Sequence, residues 1–268
     1  MKLYQVDSFT SQMFKGNPAG VCILSHEIPE ETMQAIAMEM NLSETAFVKI
    51  EGFEQKLRWF TPTNEVALCG HATLAAAHVL FNHICIKTPE INFRTMSGIL
   101  TARKSSGGIM LDFPVGNPEP AEVPEAIFES LGISRDDIEA TLFCNTRKKF
   151  LVHLKNLDLI TKIKPDFGKM LEYQPAELIG VIITAKGESH DFISRFFAPW
   201  VGVNEDPVTG SSHTVLAPYW GKILGKTKMT AYQASKRGGE MTVELKGDRV
   251  LLTGKAVTVF ETEIDVKC

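Results

Sequence analysis

The chain has 268 residues, of which 44% are hydrophobic and 22% are charged, and its 28 basic and 32 acidic residues give a formal charge of −4. This composition is typical of a soluble globular protein, and the length allows one large domain or two smaller ones. The charge balance excludes a basic surface for nucleic acid or an anionic membrane, and no apolar run is long enough to span a bilayer, so we expect neither as a partner.

The N-terminal segment MKLYQVDSFT alternates apolar and polar residues like a strand and contains no apolar signal-peptide core. The cysteines are odd in number and widely spaced: Cys22, Cys69, Cys85, Cys144 and Cys268. We therefore expect a reduced, cytoplasmic protein without a framework of disulfides.

Strand-like runs dominate the chain and are separated by Gly, Pro and short charged turns. In chain order they are KLYQVDSF, GVCIL, ETAFVKI, KLRWFT, INFRT, GIMLDF, KFLVHL, GVIITA, FISRFF, MTAYQAS, MTVEL, RVLLTG and AVTVFETEI. Two segments have a helical period: residues 29–41, with Pro29 in the first turn, and residues 123–132, which Gly132 ends. The pattern predicts an α+β fold rich in sheet.

Two further helical segments are apolar nearly all round, namely HATLAAAHVLF (71–81) and SSHTVLAPYW (211–220). Such a helix must be enclosed by other structure. RWFTP and NEVALCG precede the first segment, and RFFAP and NEDPVTG precede the second. Chance would explain the four identities in fourteen positions around each helix start, but the shared Arg-x-Phe-x-Pro motif favours a duplication. We predict two pseudo-symmetric lobes, each a curved sheet around a central buried helix.

A Pro-rich stretch, FPVGNPEPAEVP (113–124), suggests the boundary between the two lobes. We expect an N-terminal lobe over residues 1–116 and a C-terminal lobe over residues 117–256. The last strand, at about residues 257–268, is expected to return to the first lobe and help to lock the two together.

In each copy of the repeat a glycine, Gly70 or Gly210, stands where a loop turns into the buried helix. Glycine permits unusual backbone angles and a close approach of ligand to the main chain. The free N–H groups of a helix start also attract a carboxylate or a phosphate. We expect the two helix starts to form the walls of one anion-binding cleft between the lobes. The alternative is that both glycines are simply turn residues.

The segment NLSETAFVKI (41–50) supplies a candidate acid–base group. Read as a strand, one face carries Leu42, Glu44, Ala46, Val48 and Ile50, while Ser43, Thr45 and Lys49 point the other way. A carboxylate on an apolar face is desolvated, so its pKa tends to rise and it can act as a general base or acid near neutral pH. The alternative is a glutamate at a strand end that reaches solvent.

Other polar residues at the two helix starts have a functional and a structural interpretation. His71 either donates to a bound carboxylate or shuttles a proton, or it is a hydrogen-bonded core residue. Asp206 holds a substrate amine or His71, or is a turn residue. Ser211 and Ser212 are N-cap types, for which capping is the default role. No HExxH, CxxC, GxSxG or GxGxxG motif is present, so we expect no metal, serine-hydrolase or dinucleotide site.

Four segments in this order resemble the phenazine-biosynthesis PhzF-like family of the diaminopimelate-epimerase-like fold: VDSFTSQMFKGNPAGVCIL, NLSETAFV, RWFTPTNEVALCGHATLAAAHVLF and RFFAPWVGVNEDPVTGSSHTVLAPYW. The resemblance runs from the first strand to the last. It implies a barrel-like mixed sheet around each central helix and a homodimer. The best-known reaction of the family is a cofactor-free isomerisation of dihydrohydroxyanthranilate by a proton shift.

The resemblance also implies roles for individual residues. Glu44 of the S-E-T motif is the implied catalytic base, and the substrate-binding residues are Asn17, Gly70, His71, Asp206, Gly210 and Ser211. Related epimerases use two cysteines, at positions like those of Cys69 and Thr209. The threonine makes a two-thiol epimerase an unfavourable interpretation. Ser212 stands where the family motif commonly has Ala.

These observations together predict a cofactor-independent isomerase that moves a proton on a small carboxylate substrate, with Glu44 as both base and acid. One rival is an amino-acid epimerase or racemase. The other is a non-catalytic small-molecule-binding protein of the same fold, which an inactive Glu44 variant that still binds ligand would distinguish from an enzyme.

Overall fold

The computed structural model describes residues 1–175 and 177–266, so Cys268 lies outside the described residues. The first elements in chain order are β1 (Lys2–Ser8), β2 (Asn17–Leu24), α1 (Glu30–Met40), β3 (Glu44–Glu51), β4 (Glu54–Phe60), β5 (Glu65–Val66), α2 (Gly70–Asn82), β6 (Glu90–Thr95), β7 (Gly98–Ser105) and β8 (Gly108–Pro114). The exposed, mostly polar β7 was not among the predicted strands, because its side chains bury too little apolar surface to give a pattern.

The remaining elements follow a short connection. They are β9 (Glu119–Pro120), α3 (Glu125–Leu131), β10 (Ile138–Cys144), β11 (Lys149–Leu154), α4 (Leu157–Lys162), α5 (Phe167–Glu172), β12 (Gly180–Lys186), β13 (Phe192–Ala198), β14 (Val203–Glu205), α6 (Gly210–Leu224), β15 (Lys228–Gln233), β16 (Gly239–Lys246), β17 (Arg249–Gly254) and β18 (Ala256–Glu263). The protein therefore has a mixed α+β fold dominated by strands. None of the helices in these two described ranges is long and apolar enough to cross a membrane.

The chain divides into two compact units. The first unit consists of Met1–Phe113 and the segment from Leu251 onward, and the second unit is Pro114–Val250. The boundaries fall at the end of β8 and inside β17. The first unit thus contains both ends of the described chain, and its β18 pairs antiparallel with β1.

Strand pairing follows the same sequence of directions in each unit. In the first unit, β1 is antiparallel to β2, β2 parallel to β3, β3 antiparallel to β4, β4 parallel to β6 and β6 antiparallel to β7. In the second unit, the same alternation joins β10, β11, β12, β13, β15 and β16. One buried helix, α2 or α6, precedes the fifth strand of each series.

α2 is buried along most of its length, as its sequence predicts. Ten of its thirteen residues are buried, and the run Ala75, Ala76 and Ala77 combines high helix propensity with small side chains. The hydroxyl of Thr73 donates to the carbonyl of Cys69, which shields one backbone acceptor at the helix start. A helix of this kind needs a surrounding sheet, because it presents no polar face to water.

α6 remains helical through Pro218, which lies in its interior. Proline lacks the N–H that would bond to the carbonyl four residues earlier, here that of Thr214. That carbonyl instead accepts a hydrogen bond of 3.0 Å from the backbone N–H of Gly116. Gly225, in the left-handed region with φ 65°, then ends the helix.

The repeated Arg-x-Phe-x-Pro and Asn-Glu motifs form the same contact in each unit. Arg58 makes two hydrogen bonds of 2.6 Å to the carboxylate of Glu65, and its guanidinium lies 5.0 Å from the ring centre of Phe60. Arg195 binds Glu205 in the same two-pronged way, at 2.7 and 3.1 Å, and stacks 4.8 Å from Phe197. The motif therefore ties the short strand before each buried helix to its longer neighbour.

The outer helices complete separate apolar cores. In the first unit, α1 buries Met33 and Ala37 against residues of the sheet such as Phe47. In the second unit, α3, α4 and α5 contribute Phe128, Ile160 and Met170 to a larger cluster that also includes Phe197. Each of the buried helix starts is thus attached to a unit with its own hydrophobic core.

Candidate active site

Three elements of the first unit bring polar side chains to the start of α2. β2 and β3 are parallel, with Ala19 opposite Glu44, so their first residues Asn17 and Glu44 lie at the same edge of the sheet. His71 is the second residue of α2. Its Nε2 lies 3.2 Å from Oε2 of Glu44, and its Nδ1 lies 3.2 Å from Nδ2 of Asn17. The hydroxyl of Ser8 donates to the carbonyl of His71 at 2.8 Å and so fixes this turn to β1.

The imidazole of His71 is neutral at physiological pH. Burial lowers the pKa of His71 to about 3, and the hydrogen bond with the backbone of Pro18 opposes that shift only in part. A neutral imidazole offers one N–H donor and one acceptor nitrogen. The contact with Glu44 is therefore a dipolar contact with a carboxyl group and not an ion pair, despite the short distance.

The surroundings of Glu44 differ from the one-sided apolar strand that the alternation predicts. Thr45, which the alternation places on the opposite face, and Phe47, which was not assigned to a face, are both buried. Ile50, expected on the apolar face, is 43% exposed. The reason is that β3 lies between β2 and β4 and is also covered by α1, which packs on Phe47. The side chain of Glu44 is 20% exposed, so it sits at the edge of a buried region.

Cys69 lies beside this cluster as the residue that precedes α2. Its Sγ is 3.5 Å from Nδ1 of His71. Potential ligand atoms of Glu44, Cys69 and His71 lie within 4.8 Å of one another, and this combination of donors suits Zn²⁺. However, the thiol contacts one ring nitrogen and the carboxylate the other, so an ion bound to either nitrogen would have to draw one ligand across the ring.

In the second unit, a hydrogen-bonded turn leads into α6. The hydroxyl of Thr209 donates to the carboxylate of Asp206. Gln233, at the end of β15, donates to the carbonyl of Asp206 at 2.7 Å and accepts from the N–H of Thr209 at 2.9 Å. Asp206 therefore holds the shape of this turn. The sequence analysis missed Gln233, because only the pairing of β13 with β15 brings it to this position.

The predicted capping role of Ser211 and Ser212 is wrong. The residue that precedes α6 is Thr209, and both serines lie inside the first turn of the helix. Their hydroxyl oxygens instead accept hydrogen bonds from Nζ of Lys149, at 2.7 Å and 3.1 Å. Lys149 is the first residue of β11 and was not predicted, because the KK pair at the start of a strand is usual for a solvated surface.

Lys149 is a buried lysine, with 2% of its surface exposed. Burial lowers the pKa of its amine to about 7; Asp206 acts in the opposite direction, and Arg147 adds to the lowering. The amine also lies 4.1 Å from the ring centre of Phe196. An amine with this pKa changes its charge near neutral pH.

Gly70 and Gly210 are the first residues of α2 and α6. Neither belongs to the described glycines that have a positive φ, so the expected need for unusual backbone angles is wrong at both positions. Both are ordinary helical residues at the N-terminal turn, where the backbone N–H groups lack partners within the helix.

The structure thus groups the predicted site residues within each unit. Asn17, Glu44, Gly70 and His71 meet at the start of α2, and Asp206, Gly210 and Ser211 meet at the start of α6. None of the four cysteines among the described residues forms a disulfide.

Comparison with known proteins gives a consistent family assignment. The family model described as "Phenazine biosynthesis-like protein" matches residues 6–262. A relative named an uncharacterized isomerase, from Halalkalibacterium halodurans, is 46% identical over 267 residues, which cover 98% of this chain and 97% of the relative. The crystal structure of a PhzF-family phenazine biosynthesis protein from Enterococcus faecalis superposes with a TM-score of 0.93 at 43% identity and covers 99% of each chain.

A more distant structure extends the likeness at the level of the fold alone. A probable proline racemase from Agrobacterium radiobacter K84 has a TM-score of 0.63 at 11% identity, and the match covers 99% of this chain and 93% of that one. The architecture is thus common to proteins whose names include isomerases and racemases.

Proposed function

This chain belongs to the phenazine biosynthesis-like family of isomerases, and from that premise we propose that it moves a proton between two carbons of a small carboxylate substrate without a cofactor. The observation that carries the proposal is the carboxylate of Glu44 at 3.2 Å from the buried, neutral His71. A partly buried carboxyl group 3.2 Å from a buried, neutral imidazole is suited to general acid–base catalysis.

Glu44 performs both halves of the reaction. Its carboxylate removes a proton from one carbon of the substrate. The electron pair of the broken C–H bond moves into an adjacent double bond of the substrate. The carboxylic acid formed in this way returns the same proton to another carbon. The double bond has then shifted, and the reaction needs neither an oxidant nor a leaving group.

The neutral charge of His71 favours this cycle. A cation next to Glu44 would stabilise the carboxylate and lower its basicity, because an opposite charge favours the ionised form. A neutral imidazole orients the carboxyl group without that penalty and can stay in contact when Glu44 is protonated. Asn17 supports the orientation through its contact with Nδ1 of the same ring.

We also propose that the start of α6 binds an anion. The helix start at Gly210 and Ser211 offers backbone N–H groups and a hydroxyl to an anion, and Asp206 maintains the turn before them. Gly70 leaves the corresponding backbone at α2 accessible to ligand. A homodimer and a cytoplasmic location stay predictions.

An amino-acid epimerase is the main rival. Cys69 precedes α2, whereas Thr209 precedes α6, so the second position of a two-thiol mechanism carries a hydroxyl. That hydroxyl donates to Asp206. An alcohol is a far weaker acid than a thiol and does not supply an alkoxide base at neutral pH, so a one-base isomerisation is favoured.

The experiment begins with a screen of small carboxylates for deuterium uptake from D₂O, read by mass spectrometry. For any substrate found, Glu44→Gln is expected to lower kcat by about 10²–10⁴-fold while ligand binding is retained. Glu51→Gln, at the other end of β3, is the matched control and should retain the wild-type rate. A Glu44→Gln enzyme with a near-native rate would refute the role of Glu44.

A single-turnover reaction of deuterated substrate in H₂O tests the path of the proton. We expect part of the label at the new carbon of the product, because a shielded carboxyl exchanges slowly with solvent. Loss of all label with a shifted double bond keeps the isomerase and shows prior exchange at Glu44. Inversion at one unchanged carbon would show an epimerase, and ligand binding without any turnover would show a binding protein.

A further inference from the structure

Lys149 and Ser212 form a feature of the second unit that the transfer of the proton does not use. The amine of Lys149 donates to the hydroxyls of Ser211 and Ser212, and all three residues lie at the start of the buried helix α6. Ser212 is 1% exposed. A buried amine that contacts two buried or half-buried hydroxyls requires a reason, because burial of a charge is costly.

The charged and titratable groups around Lys149 do not neutralise it. Asp206 attracts the ammonium form, but it accepts a hydrogen bond from Thr209 and belongs to the turn before α6. Arg147 repels the ammonium form. Lys149 in turn disfavours a charge on His213, whose pKa burial lowers to about 4. Cys144 has a smaller influence than either Asp206 or Arg147.

We propose that Lys149, Ser211 and Ser212 form a carboxylate subsite in which Lys149 takes up a proton as the anion binds. This inference rests on the proposed function, because the carboxylate is that of the isomerase substrate. It adds to that function a counter-ion, the Lys149 ammonium, whose charge depends on the bound ligand. It also adds Lys149 and Ser212 as residues that determine substrate choice.

The hydrogen-bond geometry supports this role. A protonated lysine has three donors, and the two serine hydroxyls accept two of them, so one donor is left for a ligand oxygen. The serine oxygens accept from Lys149, so each serine O–H can be donated to the same anion. The start of α6 adds backbone N–H groups and a favourable dipole.

The electrostatics explain the uptake of a proton. In the empty site the desolvation of Lys149 favours the neutral amine, in agreement with a pKa of about 7. A carboxylate at hydrogen-bonding distance pairs with the ammonium form and removes much of the penalty. Binding above pH 7 is therefore coupled to protonation, and a neutral ligand of the same shape gains nothing from it.

Calorimetric titration with benzoate, acetate and malonate tests the subsite, with benzamide as the uncharged control. At pH 8, in two buffers of different ionisation enthalpy, the wild-type protein should take up close to one proton for each carboxylate bound. Lys149→Met should weaken carboxylate binding by roughly 10- to 100-fold, as expected for a hydrogen bond to a charged group, and abolish the proton uptake. Lys149→Arg should bind without uptake, since arginine is always charged.

Three further variants test whether carboxylate binding depends on this subsite in particular. Ser212→Ala should weaken carboxylate binding several-fold, and Lys148→Met, at the neighbouring lysine that pairs with Glu177, should bind as the wild type does. Glu44→Gln should retain both the binding and the proton uptake, which separates this subsite from the proposed base. The proposal is overturned if the wild type binds none of the three carboxylates, binds benzamide equally well, or keeps its affinity after Lys149→Met.

Discussion

The starts of α2 and α6 share a backbone arrangement and differ in chemistry. The residues before the two helices, Cys69 and Thr209, are both extended, and the carbonyl of each accepts a hydrogen bond from a side chain four residues later, Thr73 or His213. Around α2 the polar groups are a carboxylate, a neutral imidazole and a thiol, whereas around α6 they are an amine and hydroxyls.

The strand pairing shows how the difference arises. In the first unit, the parallel strands β2 and β3 begin with Asn17 and Glu44; in the second, the parallel strands β11 and β12 begin with Lys149 and Gly180. A Cβ at Gly180 would lie 2.4 Å from the carbonyl oxygen of Phe197, so no carboxylate can stand there. The same strand arrangement therefore carries a carboxylate and an imidazole in the first unit and an amine with two hydroxyls in the second.

The largest expected effect compares the two arginines of the repeated motif. Arg195→Met should lower the free energy of unfolding by about 3–5 kcal/mol, because Arg195 is 9% exposed, binds Glu205 and also donates to the carbonyls of Ile160 and Ile163. Arg58→Met should cost only about 1 kcal/mol, because Arg58 is 21% exposed and its second carboxylate partner, Glu30, is 63% exposed.

Urea unfolding measures both losses. Glu125→Gln, at an exposed ion pair with Arg135, is the control and should change the free energy of unfolding by less than about 0.5 kcal/mol. Equal losses for Arg58→Met and Arg195→Met would mean that the two copies of the motif stabilise the protein equally.

The regions around the repeated motif also show which parts of the fold could be predicted from the sequence alone. The two buried helices were predictable, because HATLAAAHVLF and SSHTVLAPYW have no polar face, and so was the end of α3 at Gly132. The partner of each motif arginine was not, since the pairing with Glu65 or Glu205 depends on a turn whose length differs between the copies. β7 and β10 were missed because too few of their side chains are buried.

Some residues of the candidate site could likewise be predicted from the sequence, and others could not. Glu44 and His71 could be selected by residue type and local motif, because both stand in short stretches with a distinctive order. Lys149 and Gln233 could not, because they reach α6 across 62 and 24 residues of chain, and only the folded sheet brings them there. The expected caps at Ser211 and Ser212 failed for the same reason: their partner comes from a distant strand.

The second prediction separates the two clusters by pH. The pKa of His71 is lowered from 6.5 to about 3, so the stability that comes from its neutral burial is present above pH 6.5 and is lost as the pH falls toward 3. By pH 5 the loss should be about 2 kcal/mol. His71→Gln should remove this part of the acid sensitivity, whereas His26→Gln, at an exposed histidine, should not.

Lys149 should also make the protein less stable as the pH falls, but over a higher pH range than His71. Its pKa is lowered from 10.5 to about 7, so folding releases a proton between these values and the wild-type protein gains stability as the pH rises from 7 to 10.5. Lys149→Met avoids a linkage cost of about 4 kcal/mol at pH 7, and this advantage shrinks to about 1 kcal/mol near pH 10. Urea unfolding at pH 5, 7 and 9.5 distinguishes the windows. A constant advantage of Lys149→Met across these pH values would contradict the lowered pKa.

The third prediction compares the two helix-start glycines. Gly70→Ala and Gly210→Ala should leave the free energy of unfolding unchanged or raise it by up to about 0.5–1 kcal/mol, because both positions are helical and alanine is the better helix former. If ligand approaches the backbone there, carboxylate binding should nevertheless weaken several-fold. Gly168→Ala in α5 is the control for binding, which should be unchanged. Unchanged binding in both variants would mean that neither glycine contacts ligand.

The smallest expected effect concerns Cys69, which stands at the position of Thr209 in the other copy. In the one-base mechanism the thiol only packs beside His71, so Cys69→Ala and Cys69→Ser should retain kcat within about threefold on any substrate found, a difference below 1 kcal/mol in activation free energy. Steady-state kinetics measures kcat and KM separately, and Glu44→Gln assayed beside them sets the scale of a true loss. A large fall in kcat for Cys69→Ala at normal KM would make the thiol a second base. The start of α2 would then hold two proton-transfer groups within 4.8 Å of each other, Glu44 and Cys69, and the one-base isomerase would be refuted.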